Sequence, residues 1–374
     1  MFREYDRNNF HKLSNQFNIF VLVGNGFDIS VLNKYKDGIL KGKTTSYNHF
    51  FEFLKYYNLV DTSDVLFNKM ETDKQNNREN WSDFENSISD LYESNAADAA
   101  CLEGCIDKFQ HYFTVFLNSL VDADVLIKLN NDVSEKQLAY QSLSRFLKDF
   151  QPDSFEFTEQ LEHYTLFNYV FANFNYTSLL DNYLYLDKYQ FDPHIYKNVD
   201  TNFEYYLNDV VQSNYKETVY SSYVVSEVIH PHGIQDIPRS ILFGIDLPDY
   251  DKGRSKEKRL VKEYWAQYNS KYEEYINKAG LFIIYGMSFG KSDAWWMDKI
   301  YDRLLRENVE LIIYKYGNDE EDFVKNIFIN SCVRHRDQTE EENNRVKDKI
   351  KVKVFSENTT YFLGLESKFS LDSR

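Results

Sequence analysis

Four short stretches of this sequence carry residue types that could bind or cleave a small polar molecule. They are GNGFD (residues 24–28), FNYTSLLD (174–181), IHPHG (229–233) and IYGMSFGKSDAWW (284–296). Each lies at the end of a predicted strand, and open α/β sheets bind ligands beyond the carboxyl ends of their strands. We therefore expect four distant parts of the chain to meet in one crevice.

The first stretch is a glycine turn. Gly24 and Gly26 allow a ligand to approach the backbone closely, and free N–H groups after a strand can bind phosphate oxygens. Asn25 and Asp28 are candidates for contacts with a ribose or a base. The dinucleotide fingerprint G-x-G-x-x-G is incomplete because Ile29 stands at its last position. A plain tight turn fits these residues equally well.

The second and third stretches supply a candidate amide and a candidate base. Asn175 can present its amide to a substrate hydroxyl or a water, or it can cap the helix that follows. His232 is the candidate general base, because imidazole titrates near neutrality. His230 and His232 would need a third ligand to hold a metal, and none stands at a suitable spacing. No metal cofactor is expected.

The fourth stretch and one outlying residue complete the candidate site. Gly286 and Ser288 close a predicted strand and offer N–H donors and a hydroxyl. Asp293 is a candidate ligand contact and also a candidate helix cap. Glu85, in WSDFE (81–85), follows a loop and can return to the crevice from a helical segment. Its alternative role is that of a solvated carboxylate beside a helix dipole.

The elements that position these residues predict an α/β fold. The apolar run 19–23 does not alternate, so both of its faces should be covered, as in the interior of a parallel sheet. Further strands are predicted at 168–177, within 196–229, and at 240–246, 281–286, 309–317 and 350–355. Helical patterns separate many of them, which predicts a doubly wound, mostly parallel, Rossmann-like sheet.

The organisation between these strands is largely helical. Residues 44–57 and 81–150 have helical spacing, and Ser82 or Asp83 is a predicted helix start. We interpret residues 44–165 as a helical insertion, 1–17 as an N-terminal arm and 18–374 as a single domain. The polar segments 73–80 and 340–349 are predicted to be exposed loops.

Composition narrows the class of function. Lysine and arginine number 43 against 59 aspartate and glutamate residues, and the formal charge of −16 argues against a nucleic-acid partner. Cys101 and Cys105, one helical turn apart, are interpreted as buried thiols on one helix, and the three cysteines form no disulfide framework. No apolar run approaches membrane length. We therefore expect a cytoplasmic protein with no membrane partner.

Six motifs in order resemble the AbiH family of bacterial abortive-infection proteins. They are VGNGFD (23–28), TTSYNHF (44–50), NWSDFE (80–85), NFNYT (173–177), HPHG (230–233) and YGMSFGKSD (285–293). The resemblance runs from about residue 18 to about residue 330. It implies a role in phage defence, in which an infected cell stops growing or dies before phage release. A phage-derived trigger is then an expected partner, and an oligomer is compatible with the sequence.

The order of these motifs also resembles the sirtuin-like NAD-binding fold, including sirtuin-like NAD hydrolases of phage defence. That resemblance implies that Gly24 and Gly26 meet the dinucleotide phosphates and that Asn175 lies near the nicotinamide ribose. It implies that His232 acts as a base on a ribose hydroxyl or a water. Gly286 and Ser288 would then contact the adenosine ribose and phosphates.

The sequence departs from the sirtuin pattern at several positions. Asn25 stands where a small residue is usual, and the pair Phe27–Asp28 is an addition. Thr177 replaces the aspartate that would recognise the nicotinamide amide. The zinc module is absent, so protein deacetylation is not expected.

The leading functional hypothesis is a hydrolase that cleaves the N-glycosidic bond of NAD or a related nucleotide. Such a reaction passes through an oxocarbenium-like state, which requires stabilised positive charge and a placed water. Asn175 would orient the substrate, His232 would remove a proton, and the cation would be stabilised by Asp28, Glu85 or Asp293. The alternative is a nucleotide-binding sensor without turnover. A nuclease is a third hypothesis, opposed by the lack of a metal-binding carboxylate cluster.

Overall fold

The protein is described by a computed structural model that covers residues 13–61, 63–78, 83–151, 155–185, 203–206, 219–245, 260–268, 270–332, 337–356 and 359–366. Within these residues seven strands form one sheet. The strands are β1 Gln16–Val23, β2 Leu166–Asn173, β3 Phe203–Tyr206, β4 Val219–Ile229, β5 Leu281–Tyr285, β6 Glu310–Tyr316 and β7 Ile350–Phe355.

The sheet is mostly parallel, and β1 lies near its centre. The strand order is β3-β4-β2-β1-β5-β6-β7, and only the pair β3–β4 is antiparallel. Val23 at the end of β1 lies opposite Asn173 of β2 and Tyr285 of β5. Tyr285 in turn pairs with Tyr314 of β6. The carboxyl ends of these strands therefore reach the same edge of the sheet, which is where all four chemical stretches begin.

The described residues also form thirteen α-helices. They are α1 Gly26–Tyr35, α2 Tyr47–Tyr56, α3 Val65–Gln75, α4 Phe84–Glu93, α5 Ala99–Leu120, α6 Ala123–Lys136, α7 Leu138–Arg145, α8 Leu179–Leu184, α9 Lys262–Tyr268, α10 Ser270–Lys278, α11 Ala294–Arg306, α12 Glu321–Ser331 and α13 Glu340–Asp348.

Both faces of β1 are buried, as the unbroken apolar run predicts. Ile19 and Val21 point into one core, which they share with residues of α1 to α7. Phe20 and Leu22 point into a second core, which they share with residues of α10 to α13. Each of these four residues is at most 1% exposed, so a polar substitution at any of them would bury a group without a partner.

The helices between α1 and β2 pack around a cluster of aromatic rings. Phe50 of α2 contacts Phe113 of α5 with ring centroids 4.9 Å apart, and Phe84 of α4 contacts Phe109 of α5 at 5.7 Å. The predicted start of α4 is confirmed at Asp83, whose carboxylate accepts the N–H groups of the second and third helical residues. This cap fixes where the first turn of α4, and with it Glu85, faces.

One predicted loop is a helix. Residues 340–349 were expected to be a charged loop, but Glu340–Asp348 forms α13. Thr339 and Glu342 form a reciprocal capping box at its start, and Val346 is fully buried in the second core. A cap and one buried contact are enough to hold this short helix, although its other residues are mainly polar.

Other predictions need smaller corrections. The strand expected at 240–246 is a 3-10 turn at Pro238–Ser240 followed by a single bridge between Ile245 and Val261; residue 246 lies outside the described residues. The loop expected at 73–80 begins later, because α3 continues to Gln75, and residues 79 and 80 lie outside the described residues. Cys105 is buried as expected, but Cys101 is exposed.

The chain termini are only partly described. Of the predicted arm 1–17, residues 1–12 lie outside the described residues, and β1 begins at Gln16. Among the residues that are described, no helix combines the length and the apolar character needed to cross a bilayer.

Candidate functional site

A cavity of about 420 Å³ lies at the carboxyl edge of the sheet. This volume is within the range of small-molecule sites in proteins. Its walls include residues from the four stretches and from the helices before β2. Every candidate site residue of the sequence lines it, namely Gly24, Asn25, Gly26, Asp28, Glu85, Asn175, His232, Gly286, Ser288 and Asp293.

The glycines of the site pack against one another. The N–H of Gly24 donates to Tyr285 O at 2.8 Å, and the N–H of Gly26 donates to Gly286 O at 2.9 Å. A Cβ on Gly26 would lie 2.8 Å from the Cα of Gly286, which has a φ of +65°. These two N–H groups are therefore occupied within the protein. Nearby, the N–H groups of Asn25 and Asp28 donate to no acceptor within the described residues.

Asn25 is held by the segment that leads into α2. The hydroxyl of Thr45 donates to Asn25 Oδ1, and Asn25 Nδ2 donates to Thr45 O at 3.5 Å. Thr45 is 5% exposed. The side chain of Asn25 is thus fixed, and the two segments GNGFD and TTSYNHF meet at this contact.

Asp28 and Asn175 are buried and have polar atoms without a partner. Asp28 is fully buried, and its Oδ2 accepts the hydroxyl of Thr177 at 2.7 Å. Asp28 Oδ1 and Asn175 Nδ2 form no hydrogen bond among the described residues, although the two side chains are near enough for the Asn175 amide to lower the pKa of Asp28, and both residues line the cavity. Buried polar atoms are nearly always paired in folded proteins, and this unpaired acceptor and donor are available to a ligand or a water.

Burial raises the pKa of Asp28 to about 7, with the Thr177 hydroxyl opposing the rise, nearby Asp181 adding to it and the Asn175 amide opposing it. The carboxylate of Asp28 therefore exchanges its proton near neutral pH. A cationic ligand in the cavity would favour its charged form.

Across the cavity, four titratable side chains form a chain of close contacts. Nζ of Lys262 lies 2.8 Å from both carboxylate oxygens of Glu85 and 3.8 Å from Oδ1 of Asp293. Oδ1 of Asp293 lies 3.1 Å from Nε2 of His232 but forms no hydrogen bond. We call Glu85, Lys262, Asp293 and His232 the charge chain.

Mutual attraction dominates over burial within the charge chain. Burial disfavours the ammonium of Lys262, but the carboxylates of Glu85 and Asp293 raise its pKa above the usual value. Burial would raise the pKa of Asp293, but Lys262 and His232 hold it below its usual value. Both groups are charged at neutral pH. Glu85 also accepts the N–H of Gly244 at 3.1 Å, so both of its oxygens are engaged.

His232 lies between two aromatic rings. The centroid of Phe174 is 5.0 Å away in an edge-to-face contact, and the centroid of Tyr176 is 6.0 Å away. The neighbouring His230 does not line the cavity; its Nε2 lies 3.0 Å from Oδ1 of Asp181. The two histidines therefore face different carboxylates. The described residues contain no group of three or more ligands able to hold a metal ion.

The outer rim of the cavity is formed by the ends of β5 and β6. Ser288 is exposed there, and Tyr316 is 61% exposed. Lys315 also lines the cavity and lies 4.0 Å from Asp319. A lysine, a hydroxyl and an exposed ring are suited to the phosphates and base of a nucleotide.

Sequence reasoning missed several residues of this site. Lys262 lies in a polar stretch of the sequence that carries no motif, and Thr177 is notable there only as a departure from the sirtuin pattern, yet both contact predicted site residues directly. Asp83 and Tyr176 also line the cavity. The one available signal for Lys262 was its place directly after Leu260 and Val261, two apolar residues that draw the start of α9 into the core.

Asp293 occupies the N-cap position of α11, as the sequence allowed, but its side chain makes no cap hydrogen bond.

A family model described as bacteriophage abortive infection AbiH matches residues 20–315. No curated protein and no solved structure matches the chain.

Proposed function

The chain belongs to the AbiH family of bacteriophage abortive-infection proteins, and we propose that it acts in phage defence by hydrolysing the N-glycosidic bond of NAD or a related nucleotide. The observation that carries the proposal is the pair of unpartnered, buried atoms Asp28 Oδ1 and Asn175 Nδ2 in a cavity of about 420 Å³. A carboxylate beside an amide donor is suited to a cationic ribosyl group.

The proposed fold for this chemistry is a doubly wound, Rossmann-like sheet. Its support is the order of the parallel strands, β4-β2-β1-β5-β6-β7, in which the chain proceeds from β1 to one side and then returns to the other. The dinucleotide-binding order 3-2-1-4-5-6 follows the same path, and ligands bind where the order reverses. The glycine turn after β1 and the loop after β5 meet at this point.

The proposed reaction adds water to C1′ of the nicotinamide ribose. The C1′–N bond breaks, its electrons remain on nicotinamide, and water forms the new C1′–O bond and loses a proton. Asn175 would orient the ribose, Asp28 would stabilise the positive charge that develops on it, and His232 would accept the proton from the attacking water. Free nicotinamide, ADP-ribose and one proton are the products.

Asp28 is a candidate substitute for the aspartate that the sirtuin pattern has where this chain has Thr177. In this chain the hydroxyl of Thr177 donates to Asp28 Oδ2, so a carboxylate from α1 lies beside the position where the sirtuin pattern has one. We propose that Asp28 supplies that carboxylate from a different element. Glu85, whose oxygens are both engaged, is then a positioning residue for Lys262 and not the group that touches the ribosyl cation.

The test uses cells that express the protein and the purified protein. His232→Ala and Asn175→Ala should abolish growth arrest and NAD loss, whereas His111→Ala, an exposed histidine on α5, should retain both. Purified wild type should release nicotinamide from NAD. If the two site variants remain folded and the cells still arrest and lose NAD, the proposed site is wrong.

A second candidate function is a nucleotide sensor that binds without turnover. It is favoured by the engaged N–H groups of Gly24 and Gly26, which leave the turn as a rigid contact surface. A sensor would raise its melting temperature with NAD and release no nicotinamide. In either case we propose that a phage-derived trigger or an oligomer controls the response in cells.

A further inference from the structure

A buried lysine joins the two walls of the cavity. Lys262 is 5% exposed and lies at the start of α9. Its ammonium contacts Glu85, which comes from the first turn of α4 in the helical region, and it lies 3.8 Å from Asp293, which precedes α11. One cation therefore connects three elements that are far apart in the chain.

A purely structural ion pair explains only part of this arrangement. Glu85 alone satisfies the charge of Lys262, since both of its oxygens lie 2.8 Å from Nζ. Asp293 is not required for that pair. Its carboxylate stands at a helix N-cap, where it could accept backbone N–H groups, yet it makes no such bond and lies against His232 and Lys262 instead.

We propose that Lys262 is a positioning residue of the hydrolysis inferred above, in which its positive charge holds Asp293 beside His232 and sets the pH at which His232 accepts a proton. The inference rests on the proposed function for its catalytic meaning. Glu85, in turn, holds Lys262 in place, and its negative charge partly cancels the electrostatic effect of the Lys262 ammonium on His232.

The charged and titratable groups around His232 determine the direction in which each substitution should shift the pH at which His232 is protonated. Asp293 precedes α11, Lys262 begins α9, Glu85 belongs to α4 and Tyr176 follows β2. Removal of the positive charge of Lys262 would leave two carboxylates near His232, so protonated His232 would become more stable. Removal of the negative charge of Glu85 would act in the opposite direction. A structural ion pair would predict a loss of stability in both variants but no opposite shifts.

The experiment compares four variants at Lys262 and Glu85 with the wild-type protein, and a fifth variant, at His232, serves only to assign the NMR signal; all proteins are selectively histidine-labelled. The NMR signal of His232 is identified by its loss in His232→Gln. Lys262→Met should move the titration midpoint of that signal up by about one pH unit, and Glu85→Gln should move it down by a smaller amount. Lys262→Arg keeps the charge and should leave the midpoint within a few tenths of a unit.

The fourth variant protects the test against a folding failure. Lys262→Met with Glu85→Gln removes both charges of the pair, leaves no unpaired Glu85 carboxylate, and still deprives Asp293 of its cation. Its midpoint should also lie above that of the wild type. Equal midpoints in the folded variants would overturn the assignment of Lys262.

Measurements of NAD cleavage distinguish a failure of this inference from a failure of the proposed function. If NAD is cleaved, the acidic limb of the pH–rate profile should follow the NMR midpoints, with the loss in kcat and not in KM. A rate profile that ignores the midpoints would overturn the positioning role. If no nicotinamide is released by any form, the proposed function fails, and the midpoints still decide whether Lys262 controls His232.

Discussion

The cavity contains two sets of polar side chains, and the sets differ in how many of their buried polar atoms have a hydrogen-bond or ion-pair partner. On one side, Asp28 and Asn175 each leave a buried atom without a partner. On the other, Glu85 and Lys262 engage one another closely, and Lys262 also lies near Asp293. Asp28 Oδ1 and Asn175 Nδ2 lack a partner until something binds, whereas the ion pair between Lys262 and Glu85 is complete without a ligand, although Oδ1 of Asp293 makes no hydrogen bond.

This difference indicates which residues touch a ligand and which hold the other residues of the site in position. A buried polar atom without a partner costs about 1–3 kcal/mol, and a ligand or water that paired with Asp28 and Asn175 would recover that cost. A buried ion pair, in contrast, is damaged when one partner is removed. The two groups should therefore respond to mutation in opposite ways.

The largest effect on stability is expected from the charge chain. Lys262→Met should lower the free energy of unfolding by about 3–5 kcal/mol, because it leaves Glu85 buried and unpaired. The double variant Lys262→Met with Glu85→Gln should recover most of that loss. Urea unfolding at pH 7 measures both. A loss below 1 kcal/mol in the single variant would show that this side is no more tightly coupled than the other.

Substitution of Asp28 should lower the activity of the protein without lowering its stability. Asp28→Asn keeps the shape of the side chain but removes the charge, and it should lower NAD hydrolysis by about 100-fold or more. Its melting temperature should equal or exceed that of the wild type, because a buried carboxylate is removed. Asp37→Asn, an exposed carboxylate whose side chain is 62% accessible, is the matched control and should change neither. Full activity in Asp28→Asn would contradict the comparison.

The raised pKa of Asp28 predicts a specific pH dependence of stability. Since its pKa is about 7 in the folded protein against a usual value of 3.8, the folded state binds the proton more tightly. Asp28 therefore contributes most stability at pH below about 4, and that contribution is lost as pH rises to about 7. Unfolding at pH 5, 6, 7 and 8 should show a rise toward acid that is smaller in Asp28→Asn. Parallel curves for the two proteins would refute this prediction.

The smallest effect is expected from the one hydrogen bond that Asp28 does make. Thr177→Val removes the hydroxyl that donates to Asp28 and accepts the N–H of Leu179 at 3.3 Å, and it should cost about 1–2 kcal/mol of stability. Thr114→Val is the control, since the Thr114 hydroxyl donates only to the backbone of Gln110, and it should cost less than about 0.5 kcal/mol. The two variants are compared by urea unfolding. Equal losses would mean that Thr177 has no special role beside Asp28.

The sequence was informative where a residue follows a strand directly. The apolar run 19–23 predicted a strand buried on both faces, and the register of the sheet brings its end level with those of β2 and β5. Asn175 and His232 could be placed near one another because carboxyl ends of parallel strands share an edge. Local pattern and one rule of topology were sufficient for these positions.

The sequence was uninformative where a contact joins distant segments. Lys262 and Glu85 are separated by 177 positions, and Thr177 and Asp28 by 149. A lysine in a polar helix has the same pattern whether it faces solvent or a buried carboxylate. The segment 340–349 differs from its predicted loop for another reason: its many charges are typical of a loop, but Thr339 and Glu342 form a capping box that starts a helix.

The central claim is that Asp28 and Asn175 bind a ribosyl group whose N-glycosidic bond is then hydrolysed. The most direct measurement incubates purified wild type and Asp28→Asn with NAD in ¹⁸O-labelled water and quantifies nicotinamide and ADP-ribose. The account predicts equal amounts of both products from the wild type, with the label on the ribose, and neither above background from Asp28→Asn. Intact NAD with the wild type, or equal product from both proteins, would contradict it.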